Sequence, residues 1–320
     1  MKKIIKTIIA NVLIFACLIT IIEVSIWGIE NEILRRQKDS FRAKGLLKFH
    51  SGIKHFKFDP KYFPSPETGW GRAPEGIEFK SKPIVLFGCS YAYGYNLEKE
   101  QTLSYKLAYL TKRPIYNKAF SAWGIQHMLL QAENPDTYKL LPEPEYVIFT
   151  FINDHFRRLY VLTFMRGHML NEDFNLRYKE KDEKLIQIKN QNHFFNFIKR
   201  LYLTNIIYNN LYIEKIKLKY PNYKEYHNFA LKHFIQSKKE MGKYWDNTKY
   251  VVYFYDSFYK DDELKEKLEK ENFTVITNKE LTSEDITNSK YMTADYHPTE
   301  EAWNLLVPKL AERLNLKWKF

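Results

Sequence analysis

The chain has 320 residues, 17% of them aromatic, and a net charge of +12. That is enough chain for one α/β domain with an insertion and an appendage, and too aromatic for a disordered one. Lys and Arg are spread along the chain and interleaved with Asp and Glu, as in RYKEKDEK from Arg177 to Lys184, which describes solvated faces and argues against nucleic-acid binding.

The first thirty residues read as a transmembrane signal anchor. Lys2, Lys3 and Lys6 precede a run from Thr7 to Ile22 that is interrupted only by Asn11 and Thr20, and Val24, Ile26 and Trp27 extend it beyond Glu23. A helix from Ile4 to Ile29 spans about 39 Å at 1.5 Å per residue, enough to cross a bilayer. Lysines before the span and Glu30 and Glu32 after it predict a cytoplasmic amino terminus and a single pass, with the rest of the chain on the periplasmic or extracellular side. With no small-x-small motif after the run, an uncleaved anchor is favoured over a cleaved signal peptide. Ile14 and Ala16 before Cys17 partly resemble a lipobox, so lipidation of Cys17 is an alternative. Cys17 and Cys89 form no disulfide framework. The excess positive charge suits a surface near anionic lipid or an acidic polymer.

Residues 31–81 read as a polar, basic stalk followed by a Pro- and aromatic-rich wrapping loop, with Pro60, Pro64, Pro66 and Pro74 favouring extended backbone. The domain proper is placed at 82–320. Ile84 to Phe87 form an apolar run suited to a strand buried on both faces, and Gly88 removes bulk where the backbone must turn to present Ser90. The segment LEKEQTLSYKLAYLTK then carries Leu103, Leu107 and Leu110 at helical spacing. Pro114 to Asn117 forms a second strand, Ile125 to Gln131 a helix, and Glu145 to Phe151 a third strand that ends at Asn153 and Asp154. Residues 157–245 read as a helical insertion or cap, whose last part from Tyr226 to Trp245 is a helix leading into a strand at Tyr250 to Tyr255. A fifth strand covers Phe273 to Thr277. A closing helix covers Thr299 to Leu314, with Thr299 as its cap and Pro308 expected to kink or interrupt it. Alternating strands and helices predict an α/β fold with a mostly parallel sheet, so Ser90 and Asn153 fall at the same sheet edge.

Ser90 sits where a nucleophile is exposed in such a sheet. Serine needs a base, and a base needs an orienting carboxylate; His297 and Asp295 in TADYHPTEEAW supply both types in one loop before the last helix. Taken together, FGCS, NKAFSAWG, FIND and DYHP resemble, in order, the four blocks of the SGNH/GDSL hydrolase superfamily, over Lys82 to about Leu314 outside the insertion. Gly69, Trp70 and Pro74 resemble a pattern of its membrane-anchored bacterial members. The resemblance implies a three-layer flavodoxin-like sandwich, with Ser90 as nucleophile, His297 as general base and Asp295 as its orienter. It places the oxyanion donors at Ser90, Ala122 and Asn153. Three positions differ from the family pattern: Cys89 replaces its aspartate, Ala122 its glycine, and Asp295 lies two residues before His297 where much of the family has three. The implied activity is that of a serine esterase, without metal or cofactor, on an O-acyl ester of an envelope polysaccharide or lipid. An O-acyltransferase acting on an exported polysaccharide, and a non-catalytic envelope polymer-binding protein, are the alternatives.

Overall fold

The computed structural model describes residues 81–95, 97–120, 123–160, 178–188, 223–255, 262–294 and 296–316, together with residues 10, 11, 14, 15, 17–22 and 25. The chain divides into two units, one of Met1–Phe56, Phe164–Asn171 and Asn190–Lys215, the other of Lys57–Thr163, Glu172–Lys189 and Ile216–Phe320. The described residues of the first unit are helical. Most of the proposed membrane span lies outside the described residues, among which no helix is long and apolar enough to cross a membrane. The proposed stalk and wrapping loop also lie outside them, apart from Ser81.

The second unit contains, in chain order, β1 (Ile84–Phe87), α1 (Ser90–Tyr93), a 3-10 turn (Lys99–Gln101), α2 (Leu103–Thr111), β2 (Ile115–Asn117), α3 (Ile125–Glu133), α4 (Pro135–Leu140), β3 (Tyr146–Phe151) and α5 (Asp154–Tyr160). There follow β4 (Tyr178–Lys181), β5 (Lys184–Gln187), α6 (Tyr223–Met241), β6 (Lys249–Phe254), α7 (Asp262–Lys270), β7 (Thr274–Thr277), α8 (Asn278–Leu281) and α9 (Glu300–Arg313). The sheet runs β2-β1-β3-β6-β7 with every neighbouring pair parallel. This is the strand order of flavodoxin-like sheets, whose reversal between β1 and β3 opens a crevice beyond the carboxyl ends of those strands.

Both faces of the sheet are covered, and the central strands β1 and β3 are accordingly buried at every position rather than at alternate ones. Ile84 and Leu86 of β1, Ile148 of β3 and Val251 of β6 join a core with Leu103 and Leu107 of α2 and Leu306 and Leu310 of α9. Val85 and Phe87, Val147 and Phe149, and Val252 and Phe254 point the other way, into a core with Met128 of α3, Phe234 of α6 and Leu264 of α7. The layers are tied at their ends as well. Tyr146 Oη donates to the carbonyl of Leu314 at 2.9 Å, and Glu300 at the start of α9 accepts from Lys106 and Gln101, each at 2.9 Å.

Several local expectations are revised. The helix expected through LEKEQTLSYKLAYLTK is split, because Thr102 accepts from the Tyr105 N–H and starts α2 afresh, while Gln101 turns back to the Glu98 N–H. Pro308 does not interrupt α9; the carbonyl four residues earlier, which loses its N–H partner, belongs to Asn304 on the exposed face of the helix. The segment read as a helical insertion contains an antiparallel hairpin, β4 with β5, whose Leu185 N–H and carbonyl are both bonded by Gln236 of α6. Gly88 is required less for a turn than for close approach. A β-carbon there would lie 1.8 Å from Thr150 Oγ1, which donates to the Phe87 carbonyl.

Candidate active site

Ser90 is the first residue of α1, at the carboxyl end of β1, and is 4% exposed. As the first helical residue its N–H has no partner within the helix. Gly94 closes the turn in the left-handed conformation at φ 81°, its N–H returning to the Ser90 carbonyl at 3.0 Å. Asn117, at the end of β2, braces the turn from below: its Nδ2 donates to the Ala92 carbonyl at 2.7 Å and to Ser104 Oγ at 3.2 Å, and its Oδ1 accepts from Ala119 N–H at 3.0 Å.

His297 lies in the loop before α9. The loop is closed by bonds from Thr293 N–H and Oγ1 to the His297 carbonyl, at 2.8 and 3.0 Å, and from the His297 N–H to Thr293 Oγ1 at 3.0 Å. Met292 pairs with Pro298 in an antiparallel bridge, and Thr299 caps α9 by accepting from Ala302 N–H. These contacts bring His297 Nε2 to 2.9 Å from Ser90 Oγ, across 207 positions of sequence. The imidazole packs against Tyr95, with ring centroids 4.8 Å apart, and Tyr91, at 5.5 Å.

The other residues singled out in the sequence are distributed as follows. Asn153 follows β3 by two residues and is half-buried, at the same sheet edge as Ser90. Ala122 and Asp295 lie outside the described residues. Cys89 is fully buried, and burial pushes its thiol pKa up, opposed chiefly by the Arg158 guanidinium.

Arg158 is not among the residues that the sequence reading singles out, yet it joins three parts of this region. Its side chain is 11% exposed; Nε donates to Asp154 Oδ2 at 2.7 Å, Nη1 donates to the Trp123 carbonyl at 2.6 Å, and the guanidinium also reaches Cys89. The Arg158 carbonyl in turn accepts from Gln126 Nε2 at 3.0 Å. The cation therefore links the residue before Ser90, the loop after Ala122 and the residue after Asn153, and Asp154 balances its charge where Cys89 cannot. A run ending in Asn153-Asp154 with an arginine four residues on was the available clue, since an i,i+4 pair needs only one helical turn.

No family model matches the chain, and no curated protein does. Solved structures overlap it in part. An acetyl xylan esterase from the rumen bacterium Butyrivibrio proteoclasticus is 9% identical with a TM-score of 0.44, over 75% of this chain and 65% of its own. A member of the lipolytic G-D-S-L family from Veillonella parvula is 11% identical with a TM-score of 0.41, over 73% of this chain and 99% of its own. A candidate lipolytic protein of the same family from Desulfitobacterium hafniense is 9% identical with a TM-score of 0.41, over 72% of this chain and 99% of its own.

Proposed function

We propose that the protein is a serine esterase that cleaves an O-acyl ester of a carbohydrate or lipid outside the membrane, through an acyl-enzyme on Ser90. The observation that carries this reading is the 2.9 Å contact between Ser90 Oγ and His297 Nε2. It joins the first turn of α1 to the loop before α9, at the sheet edge where α/β folds bind ligands. In the proposed reaction Ser90 Oγ attacks the acyl carbon as Nε2 takes the hydroxyl proton. The tetrahedral oxyanion collapses to an acyl-serine, and the alcohol leaves with the proton from His297. Water then repeats the sequence, giving the carboxylic acid and free Ser90. The Ser90 N–H, with the Ala122 N–H and the Asn153 amide, is assigned to the oxyanion, and Asp295 to the imidazole; these four roles come from the sequence resemblance.

The envelope location follows from the proposed amino-terminal anchor, and a carbohydrate or lipid alcohol is the class of ester found there. The full-length protein should hydrolyse p-nitrophenyl acetate, and Ser90→Ala should lower kcat by about a thousandfold or more. Equal rates for the two proteins would exclude the esterase.

A further inference from the structure

We infer that Tyr91 is a positioning residue whose hydroxyl holds the 293–297 loop where His297 meets Ser90. The inference rests on the proposed roles of those two residues. Tyr91 follows Ser90 in the chain, is buried, and donates from Oη to the carbonyl of Tyr296 at 2.5 Å. Its ring meets Tyr255 edge-on at 5.1 Å, and Tyr255 in turn packs on Trp303 of α9 at 5.2 Å, so the hydroxyl projects from a fixed support.

The carbonyl it grips belongs to a residue with a disfavoured backbone. Tyr296 has φ 59°, a left-handed conformation that a β-carbon disfavours, and the residue is 70% exposed, so packing does little to compensate. Hydrogen bonds must hold the backbone there. The bond from Tyr296 N–H to the Thr293 carbonyl at 2.9 Å, and the Thr293 to His297 bonds, fix the internal shape of the loop. The Tyr91 bond ties that shape to the turn that carries the nucleophile. Without it, the left-handed state of Tyr296 is less favoured and the imidazole spends less time within reach of Ser90. Such a loss slows proton transfer while leaving the binding of a small ester unchanged.

The test is a cycle of four full-length proteins: the wild type, Tyr91→Phe, Tyr296→Asn and the double variant. Each is measured for the rate of Ser90 labelling by a fluorophosphonate, for kcat and KM with p-nitrophenyl acetate, and for its thermal midpoint. Tyr91→Phe removes one oxygen and should slow labelling and kcat roughly tenfold, with KM within about twofold. Asparagine accepts the left-handed region more readily than tyrosine, so in the Tyr296→Asn background the same change should cost less than about threefold. Equal rates for Tyr91→Phe and wild type overturn the inference, as does a full tenfold loss in both backgrounds. A fall in thermal midpoint that tracks the rate loss in both backgrounds overturns it in favour of a general stability effect. A wild-type protein that is not labelled at Ser90 overturns the esterase reading and the role of Tyr91 with it.

Discussion

His233 shows how a buried side chain contributes to the response of this fold to acid. It is fully buried on α6, its Nδ1 donates to the Phe229 carbonyl at 2.8 Å, and burial lowers its pKa from 6.5 to about 4 against the opposing effect of that carbonyl. His155, also fully buried, is pushed well below its usual value, again first by burial. Between the unfolded and folded pKa values of His233 the unfolded chain binds a proton that the folded chain refuses, so the stability this residue contributes is complete above pH 6.5 and is lost as pH falls through about 4. His233 alone should account for about 3 kcal/mol of that loss. Urea unfolding between pH 7 and pH 4 should show a flatter acid limb for His233→Phe than for wild type; identical slopes would count against it. Legibility at this scale followed chemistry. Ser90 and His297 stood out because their residue types and flanks match those of a nucleophile and its base. Tyr91, Asn117 and Arg158 did not, because each acts on a backbone carbonyl or a loop 25 to 205 positions away, and no local pattern encodes that.

The strand ends illustrate what periodicity shows about elements and what it does not. All five sheet strands were legible within a residue or so, since β1, β3 and β6 are short, apolar, β-branched or aromatic runs bounded by polar residues. Helix α7 was not, because DELKEKLEK has two buried leucines in nine residues, and α5 was hidden because it starts directly at the polar end of β3. The hairpin of β4 and β5 sits in a charged stretch where one buried residue per strand, Tyr178 and Leu185, supplies the whole apolar signal. Gly88 was singled out, but for its turn rather than for the contact of β1 with β3. Gly88→Ala would drive a methyl into Thr150 Oγ1, and the collision should cost about 1–3 kcal/mol or more in urea unfolding. Adding Thr150→Ala should recover part of it, although the Ala92 β-carbon at 3.0 Å remains close. No recovery would mean that the strain lies elsewhere.

Across the whole molecule, topology is what turns distant sequence into a site. The order β2-β1-β3-β6-β7 puts the ends of β1 and β3 side by side at the crevice, so a serine after one and an asparagine after the other share an edge. The closing helix α9 packs on α2, which follows the turn of Ser90, and Glu300 joins α9 to Lys106 of α2 and to Gln101 just before it; the loop carrying His297 is thereby held over the same edge. This convergence was legible in outline, because ordered blocks along an α/β chain imply it. Its exact closure was not, since the 2.9 Å approach of His297 to Ser90 depends on loop bonds made by Thr293 and Tyr91.

The central claim is acyl transfer to Ser90 assisted by His297. Brief exposure of the full-length protein to p-nitrophenyl acetate, acid quenching and peptide mass mapping test it most directly. The account predicts one acetyl group on the peptide that contains Ser90 in the wild type, and none above background in His297→Ala. Acetyl found on another residue instead, or on Ser90 to the same extent in both proteins, would contradict it.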